Sequence, residues 1–244
     1  MSNPRFFVPN VGYVEGDMIP LPQTAAHHAM RVLRMRQGDT VELFSGAGKN
    51  CTGSIHFDAS GAQVLVETVM ETKEKLFPIT LLQAFVTNEK ADWIIEKACE
   101  VGVTDIYFYP AARCETKIRS EKKEKRLERW NKIVVSACMQ CGRNTLPTIH
   151  LLDSFSTALS IKNGTCFVTA PKSEESPSPS KTPPQAVTFL IGPEGGLSEQ
   201  EIKLAIESGF LPLTLGKLVL RTETAGIVCA TWAQTLWGEF KNSL

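Results

Sequence analysis

The chain has 244 residues with 26 basic and 26 acidic side chains, 43% hydrophobic and 21% charged residues, a composition suited to one large globular domain or a small one joined to a medium one. Zero formal charge excludes a polyanion drawn in by the overall field, so any such partner must be met by local basic patches. No apolar run approaches the roughly 18 residues of a membrane span, and residues 1–30 lack a signal-peptide core, so no membrane and no secretory route are expected.

Residues 1–70 read as short strands. RFFV (5–8), TVELFSG (40–46), CTGSIHF (51–57) and AQVLVETV (62–69) alternate in polarity or are rich in β-branched residues. SGAGKN supplies a glycine hairpin loop between two of them. TAAHHAMRVLRM (24–35) interrupts them as one predicted helix, with Thr24 placed to cap it. A small β-barrel with one helix is expected.

After residue 76 the pattern changes. ITLLQAFV (79–86) is a nearly continuous apolar strand, and NEKADWIIEKACEVG (88–102) is a helix with Ala91, Ile94, Ile95, Ala98 and Val101 on one side, closed by Gly102. TDIYFYP (104–110) is the next strand, followed by a long helix over about 120–141, the strand TIHLL, and a short helix from Asp153. TCFVTA (165–170), AVTFLI (186–191), a helix from Ser198, LPLTL (211–215) and a last helix from about 223 complete the chain. Wholly apolar strands alternating with helices predict a parallel sheet covered on both faces. The domain boundary is placed near 71–77, giving domains 1–72 and 73–244. SEESPSPSKTPP (173–184) is too polar and proline-rich to bury anything and is predicted as a surface loop.

Two stretches carry chemistry. In FLIGPEGGLSEQEI (189–202) an apolar strand runs into a turn holding Gly192, Pro193, Glu194, Gly195 and Gly196, and Ser198 with Glu201 forms a capping box for the helix beyond. No Gly-Lys-Ser/Thr follows, the spacing is not G-x-G-x-x-G, and Glu194 would repel phosphate. A ligand with a positive centre and no phosphate fits better. In LTLGKLVLRTETAG (213–226) a second strand ends at Leu215, Gly216 turns, and Thr222 or Thr224 is placed to cap the last helix. VTAPK (168–172) is a third loop of this kind, starting at Val168 and Thr169. Loops at the ends of parallel strands lie where open α/β sheets bind ligands.

The seven cysteines, at 51, 99, 114, 138, 141, 166 and 229, sit largely in apolar segments and predict free thiols in a reducing, cytoplasmic setting. CMQC (138–141) lacks a second pair, and His27-His28 lacks further ligands at metal spacing, so no metal is expected. Basic residues cluster at Arg31, Arg34 and Arg36, and again at Arg119, Lys122, Lys123, Lys125, Arg126, Arg129 and Lys132. The second cluster divides evenly between a solvated helix face and a binding patch; the first is favoured for phosphate contacts.

IGPEGGLSEQEI, LGKLVLRTETA and MQCGRNTLP (139–147), with EKACEVGV (96–103) and HHAMRVLRMRQGD (27–39), closely resemble the RsmE family across nearly the whole chain. These are SPOUT-class methyltransferases that use S-adenosyl-L-methionine to modify the N3 nitrogen of a uridine in 16S ribosomal RNA. The resemblance implies a PUA-like RNA-binding β-barrel followed by a SPOUT domain with a deep trefoil knot, and a homodimer through that second domain. It implies cofactor contacts at Val168, Thr169, Gly192, Pro193, Gly195, Gly196, Leu215, Gly216, Leu218, Leu220, Arg221 and Thr222, with Leu215, Leu218 and Leu220 enclosing the adenine. It implies contacts to 16S ribosomal RNA or the small subunit at Arg5, His27, His28, Arg31, Arg34, Arg36, Gln140, Arg143 and Asn144.

Methylating N3 requires loss of a weakly acidic proton, and the charge left on the uracil oxygens suits a guanidinium. Arg143 and Arg221 are the candidates, and Gln140 and Asn144 suit the base edge. Glu194 and Glu223 both stand as candidate bases. A SPOUT ribose 2′-O-methyltransferase and a non-catalytic RNA-binding assembly protein are the alternative readings.

Overall fold

The structure is a computed structural model that describes residues 3–9, 11–59, 61–71, 76–170 and 183–242. The chain divides into two compact units, one of Met1–Lys75 with Cys138–Leu146 and one of Leu76–Ala137 with Pro147–Leu244. Most of the serine- and proline-rich stretch lies outside the described residues.

The first unit is a five-stranded sheet in the order β1-β3-β4-β5-β2, formed by β1 (Arg5–Phe7), β2 (Met18–Pro20), β3 (Thr40–Phe44), β4 (Lys49–Asp58) and β5 (Gly61–Glu71). β1 lies parallel to β3 and the other pairings are antiparallel. Alternation along the strands turns Val41, Leu43, Cys51, Ile55, Val64 and Val66 into one core with Phe6, Ile19 and Leu21. β2 escapes the sequence pattern because it is three residues long and ends in a proline, as an edge strand can. The shift of register between Thr52 and Gly53 needs glycine, since a Cβ at residue 53 would stand 2.0 Å from the Leu65 carbonyl oxygen.

The single helix expected over 24–35 is two pieces, α1 (Gln23–His27) and a π-helical turn (His28–Val32). Its N-cap is Pro22, with no side-chain hydrogen bond, so Thr24 falls inside the first turn instead of capping it. The helix stops because Arg34 turns left-handed, at φ 52°, alone among the described non-glycine residues.

The second unit carries a six-stranded parallel sheet in the order β11-β9-β10-β6-β7-β8. Its strands are β6 (Ile79–Ala84), β7 (Asp105–Tyr109), β8 (Thr148–Leu151), β9 (Thr165–Thr169), β10 (Val187–Ile191) and β11 (Leu211–Leu213). β6 and β10 are buried along their whole length, as expected of strands covered on both faces. The helices are α2 (Asn88–Glu100), α3 (Lys123–Cys141), α4 (Phe155–Ser160), α5 (Glu199–Glu207) and α6 (Thr222–Trp237). Leu82, Ala84, Tyr109, Val168 and Leu190 form one core with Ala158 and Leu159 of α4 and Ala205 of α5. On the opposite face Trp232 of α6 meets Phe167 and Phe189, and Trp130 of α3 stacks on Phe108. The second unit is thus a mixed α/β domain built on a parallel sheet, following a small β unit in the chain.

The capping box at α5 forms as expected. Ser198 Oγ accepts from the Glu201 amide at 3.2 Å, and Glu201 Oε2 accepts from the Ser198 amide at 2.8 Å. Glu201 is buried and its Oε1 also accepts from the Ala112 amide at 2.7 Å, tying α5 to the loop after β7. Ser198→Ala is expected to cost about 1 kcal/mol. Glu201→Ala should cost more, about 2 kcal/mol, because it removes the bonds to both the Ser198 and the Ala112 amides. Urea midpoints would show the order, and equal losses would contradict the tie.

Candidate functional site

β11, β9 and β10 are neighbours and run parallel, so their C-terminal ends share one edge of the sheet. Leu190 is opposite Val168, and Leu213 is opposite Thr169. The turn from Gly192 and the loop from Thr214 therefore leave adjacent strands in the same direction. The sequence expected this juxtaposition, and the register sets it.

The turn at 192–196 is built from two different glycine requirements. A Cβ on Gly192 would stand 2.9 Å from the Leu197 nitrogen, so close approach excludes any side chain there. Gly196 has open space but sits at φ 68°, a conformation that strains L residues. The Gly196 amide donates to the Pro193 carbonyl at 2.9 Å and closes the turn. Arg113, on the loop after β7, donates to the Gly195 carbonyl at 3.1 Å. Below the turn, the buried Tyr109 hydroxyl donates to the Ile191 carbonyl at 2.8 Å. Burial holds that phenol well above its usual range, so it stays a donor.

In the second loop Leu215 and Leu220 are partly buried, and Gly216 turns at φ 83°. Leu218 and Val219 stand 82% and 79% exposed. Arg221 is exposed and serves as the N-cap of α6 without a side-chain bond. Neither threonine caps the helix as expected. The Thr222 hydroxyl donates to the Gly192 carbonyl at 2.5 Å and accepts from Gln83 Nε2 at 2.8 Å.

The two candidate bases come together on one cation. Lys90 Nζ, in the first turn of α2, lies 2.9 Å from Glu194 Oε1 and 3.7 Å from Glu223 Oε2. Sequence reasoning missed Gln83, Lys90, Arg113 and Tyr109. Only Gln83 left a signal, as the one long polar side chain in an otherwise apolar strand end.

Arg143 and Asn144 belong to the first unit, where they are 6% and 5% exposed. Arg5 pins this segment. Its guanidinium donates to the Cys138 carbonyl at 2.8 Å, to the Arg143 carbonyl at 3.5 Å and to Asn144 Oδ1, and its Nε pairs with Glu42 at 3.1 Å. It also lies 4.6 Å from the centre of the Phe44 ring. Arg5 was expected among the RNA contacts. Its side chain is only 8% exposed and bonded inward, so it holds the unit together instead. The Asn144 side chain, expected at a base edge, serves the same anchor. Gln140 is exposed.

Around the π-helical turn, His27, Arg31, Arg34 and Arg36 are exposed and His28 is half-buried. Met30, Val32 and Leu33 are exposed among them, with Val32 at 62%. This face is thus both cationic and apolar. In the second basic cluster Lys123 pairs with Asp153, Arg129 pairs with Asp92, and Arg126 lies over Trp130, so part of it serves local packing. All seven cysteines are free, with Cys141 exposed and Cys114 half-buried. Among the described residues no group of three or more His, Cys, Asp or Glu could hold a metal ion. No described helix is long and apolar enough to cross a membrane.

Residues 72–234 match the model of an RNA methyltransferase domain, and residues 21–59 match that of an RNA methyltransferase PUA domain. The class defined by sheet, loops and preceding unit is therefore an RNA methyltransferase domain behind a PUA domain. The chain is 33% identical over 227 residues to ribosomal RNA small subunit methyltransferase E of Buchnera aphidicola from Acyrthosiphon pisum, covering 88% of this chain and 87% of that one. It is 31% identical to the Bacillus subtilis protein of the same name over 212 residues, 82% of each chain. A Neisseria gonorrhoeae ribosomal RNA small subunit methyltransferase E, solved bound to S-adenosyl methionine, superposes with TM-score 0.87 at 34% identity, over 97% of this chain and 98% of that one. A Legionella pneumophila methyltransferase solved with bound SAM gives TM-score 0.87 at 33% identity, over 98% and 100%. The chain belongs to the ribosomal RNA small subunit methyltransferase E family.

Arg5→Met is expected to destabilise the protein by about 3 kcal/mol, because it removes the ion pair with Glu42 and the inward bonds to Asn144 and to the Cys138 and Arg143 carbonyls. If Arg5 instead served RNA, denaturant midpoints would stay put and RNA affinity would fall.

Proposed function

We propose that this chain transfers a methyl group from S-adenosyl-L-methionine to the N3 nitrogen of a uridine in 16S ribosomal RNA of the small subunit. The observation that carries this reading is the pair of glycine turns held together at the C-terminal sheet edge, in a chain of this family. The residues present suit such a cofactor. Gly192 and Gly196 keep side chains out of the turn, and two carboxylates share one lysine, a charge balance that favours a cation over a phosphate. We assign cofactor contacts to Val168, Thr169, Gly192, Pro193, Gly195, Gly196, Leu215, Gly216, Leu218, Leu220, Arg221 and Thr222.

When bound, the cofactor supplies an electrophilic methyl group. The protein's part is to hold the uracil nitrogen in line with it and to stabilise the charge left when the N3 proton goes. Glu194 or Glu223 takes that proton in this reading. In this reading Arg143 and Arg221 are the guanidinium groups assigned to the charge on the uracil oxygens. The exposed Arg31, Arg34 and Arg36 bind phosphates, with His27, His28 and Gln140 alongside. A trefoil knot formed by the C-terminal loops, a homodimer through the second unit and a cytoplasmic location complete the proposal.

The decisive experiment is a nucleoside digest of small-subunit RNA methylated in vitro by the purified chain. 3-Methyluridine is expected; a ribose 2′-O-methyl product would overturn the assignment.

Gly196→Val should lower cofactor affinity by about tenfold or more in a folded protein, since a β-branched residue cannot hold φ 68° without strain. Unchanged calorimetric affinity would remove this turn from the site. Arg143→Ala should lower the single-turnover rate about a hundredfold with cofactor affinity intact, and Arg143→Lys should recover little of it. A phosphate anchor would instead give a normal rate at saturating RNA. Replacing Arg31, Arg34 and Arg36 together with alanine should weaken RNA binding and flatten its salt dependence by about two to three contacts. An unchanged slope would move the RNA surface elsewhere.

A further inference from the structure

Gln83 is the residue that stability alone does not account for. It lies near the end of β6 with no exposure, in a strand that is otherwise almost wholly apolar. Both protons of its amide are used: Nε2 donates to Thr222 Oγ1 at 2.8 Å and to the Ala84 carbonyl at 3.2 Å. Its Oε1 is buried with no hydrogen-bond partner, an arrangement that disfavours the folded state. A leucine at this position would avoid that cost. The benefit must lie in the direction the amide imposes.

That direction is specific. Gln83 fills the acceptor side of the Thr222 hydroxyl, so the hydroxyl proton points to the Gly192 carbonyl, 2.5 Å away. The relay thus runs one way, from β6 through the first residue of α6 to the first residue of the glycine turn. Thr222 is also where the loop from Gly216 ends. The backbone allows this contact because α6 passes close to β6 at Gly226, where a Cβ would stand 3.2 Å from Leu81 Cδ1 and 3.5 Å from Gln83 Oε1. A second tie joins the same two segments, from Lys90 to Glu194 and Glu223, but it is partly exposed and open to screening by salt. The buried relay has no such weakness.

We infer that Gln83 is a positioning residue that, through Thr222, fixes the Gly192 carbonyl and makes the two loops of the cofactor site one body. It touches no reacting atom. The inference rests on the proposed cofactor site, but the relay itself can be read without any ligand. Gln83→Leu, Thr222→Val, their combination and Thr222→Ser are compared in the full chain. Amide hydrogen exchange over residues 192–197 is measured without ligand, and S-adenosyl-L-methionine affinity by calorimetry. Exchange should quicken in Gln83→Leu and Thr222→Val and stay near wild type in Thr222→Ser. Affinity should fall about tenfold in each of the first two and only slightly further in the double variant, because both break one relay. Thr222→Ser keeps the hydroxyl and therefore the relay, which the exchange measurement reads without any ligand. Unchanged exchange, or losses that multiply to about a hundredfold in the double variant, would overturn the inference. Should Gln83→Leu fail to fold, the valine and serine variants at Thr222 decide it. A wild-type chain that binds no S-adenosyl-L-methionine would overturn the cofactor assignment, and exchange alone would then judge the relay.

Discussion

The parallel pairing of β10 between β6 and β9 is the constraint from which the rest of the second unit follows. All five residues of β10 are buried, so both faces must be covered and every backbone group must be paired within the sheet. Parallel strands cannot be joined by tight hairpins, so each connection crosses over, and the C-terminal ends gather at one edge. The turn after β10 emerges into that edge with its glycines already required, by close approach at Gly192 and by backbone sign at Gly196.

What surrounds that turn is a set of ties that act on backbone carbonyls. Tyr109 holds Ile191, Thr222 holds Gly192, and Arg113 holds Gly195. Three carbonyls along one short path are each fixed by a side chain from a different element. A site held this way needs little rearrangement to meet a ligand, which keeps the entropic cost of binding low. The exposed Leu218 and Val219 are the contrast, because nothing comparable holds them.

The first unit solves a different problem, that of presenting positive charge from a chain with none overall. Arg5 is placed inward, where Glu42 balances it and three hydrogen bonds hold the segment that carries Arg143. Arg31, Arg34 and Arg36 are placed outward on a π-helical turn that ends in a left-handed residue. Irregular backbone of this kind costs energy and commonly marks functional surfaces. Residue type alone did not separate these arginines; burial did.

The sequence by itself determined the apolar strands, the helix starting at Ser198, the glycine turn and the family, because each depends on local pattern. Hydrophobic runs declare buried strands, and a Ser-x-x-Glu spacing declares a cap whatever the surroundings. The tertiary structure alone decided what the polar side chains near those elements do. Thr222 and Thr224 looked equally fit to cap α6, yet Thr222 bonds across to Gly192 because β6 delivers Gln83 to its other side. Glu194 and Glu223 looked like independent carboxylates until α2 brought Lys90 between them. Arg5 looked like a cation for RNA until Cys138–Leu146 folded onto the first unit, 133 residues further along the chain at its nearest bond. A hydrogen bond's partner is set by distance in space, and sequence spacing carries no record of it.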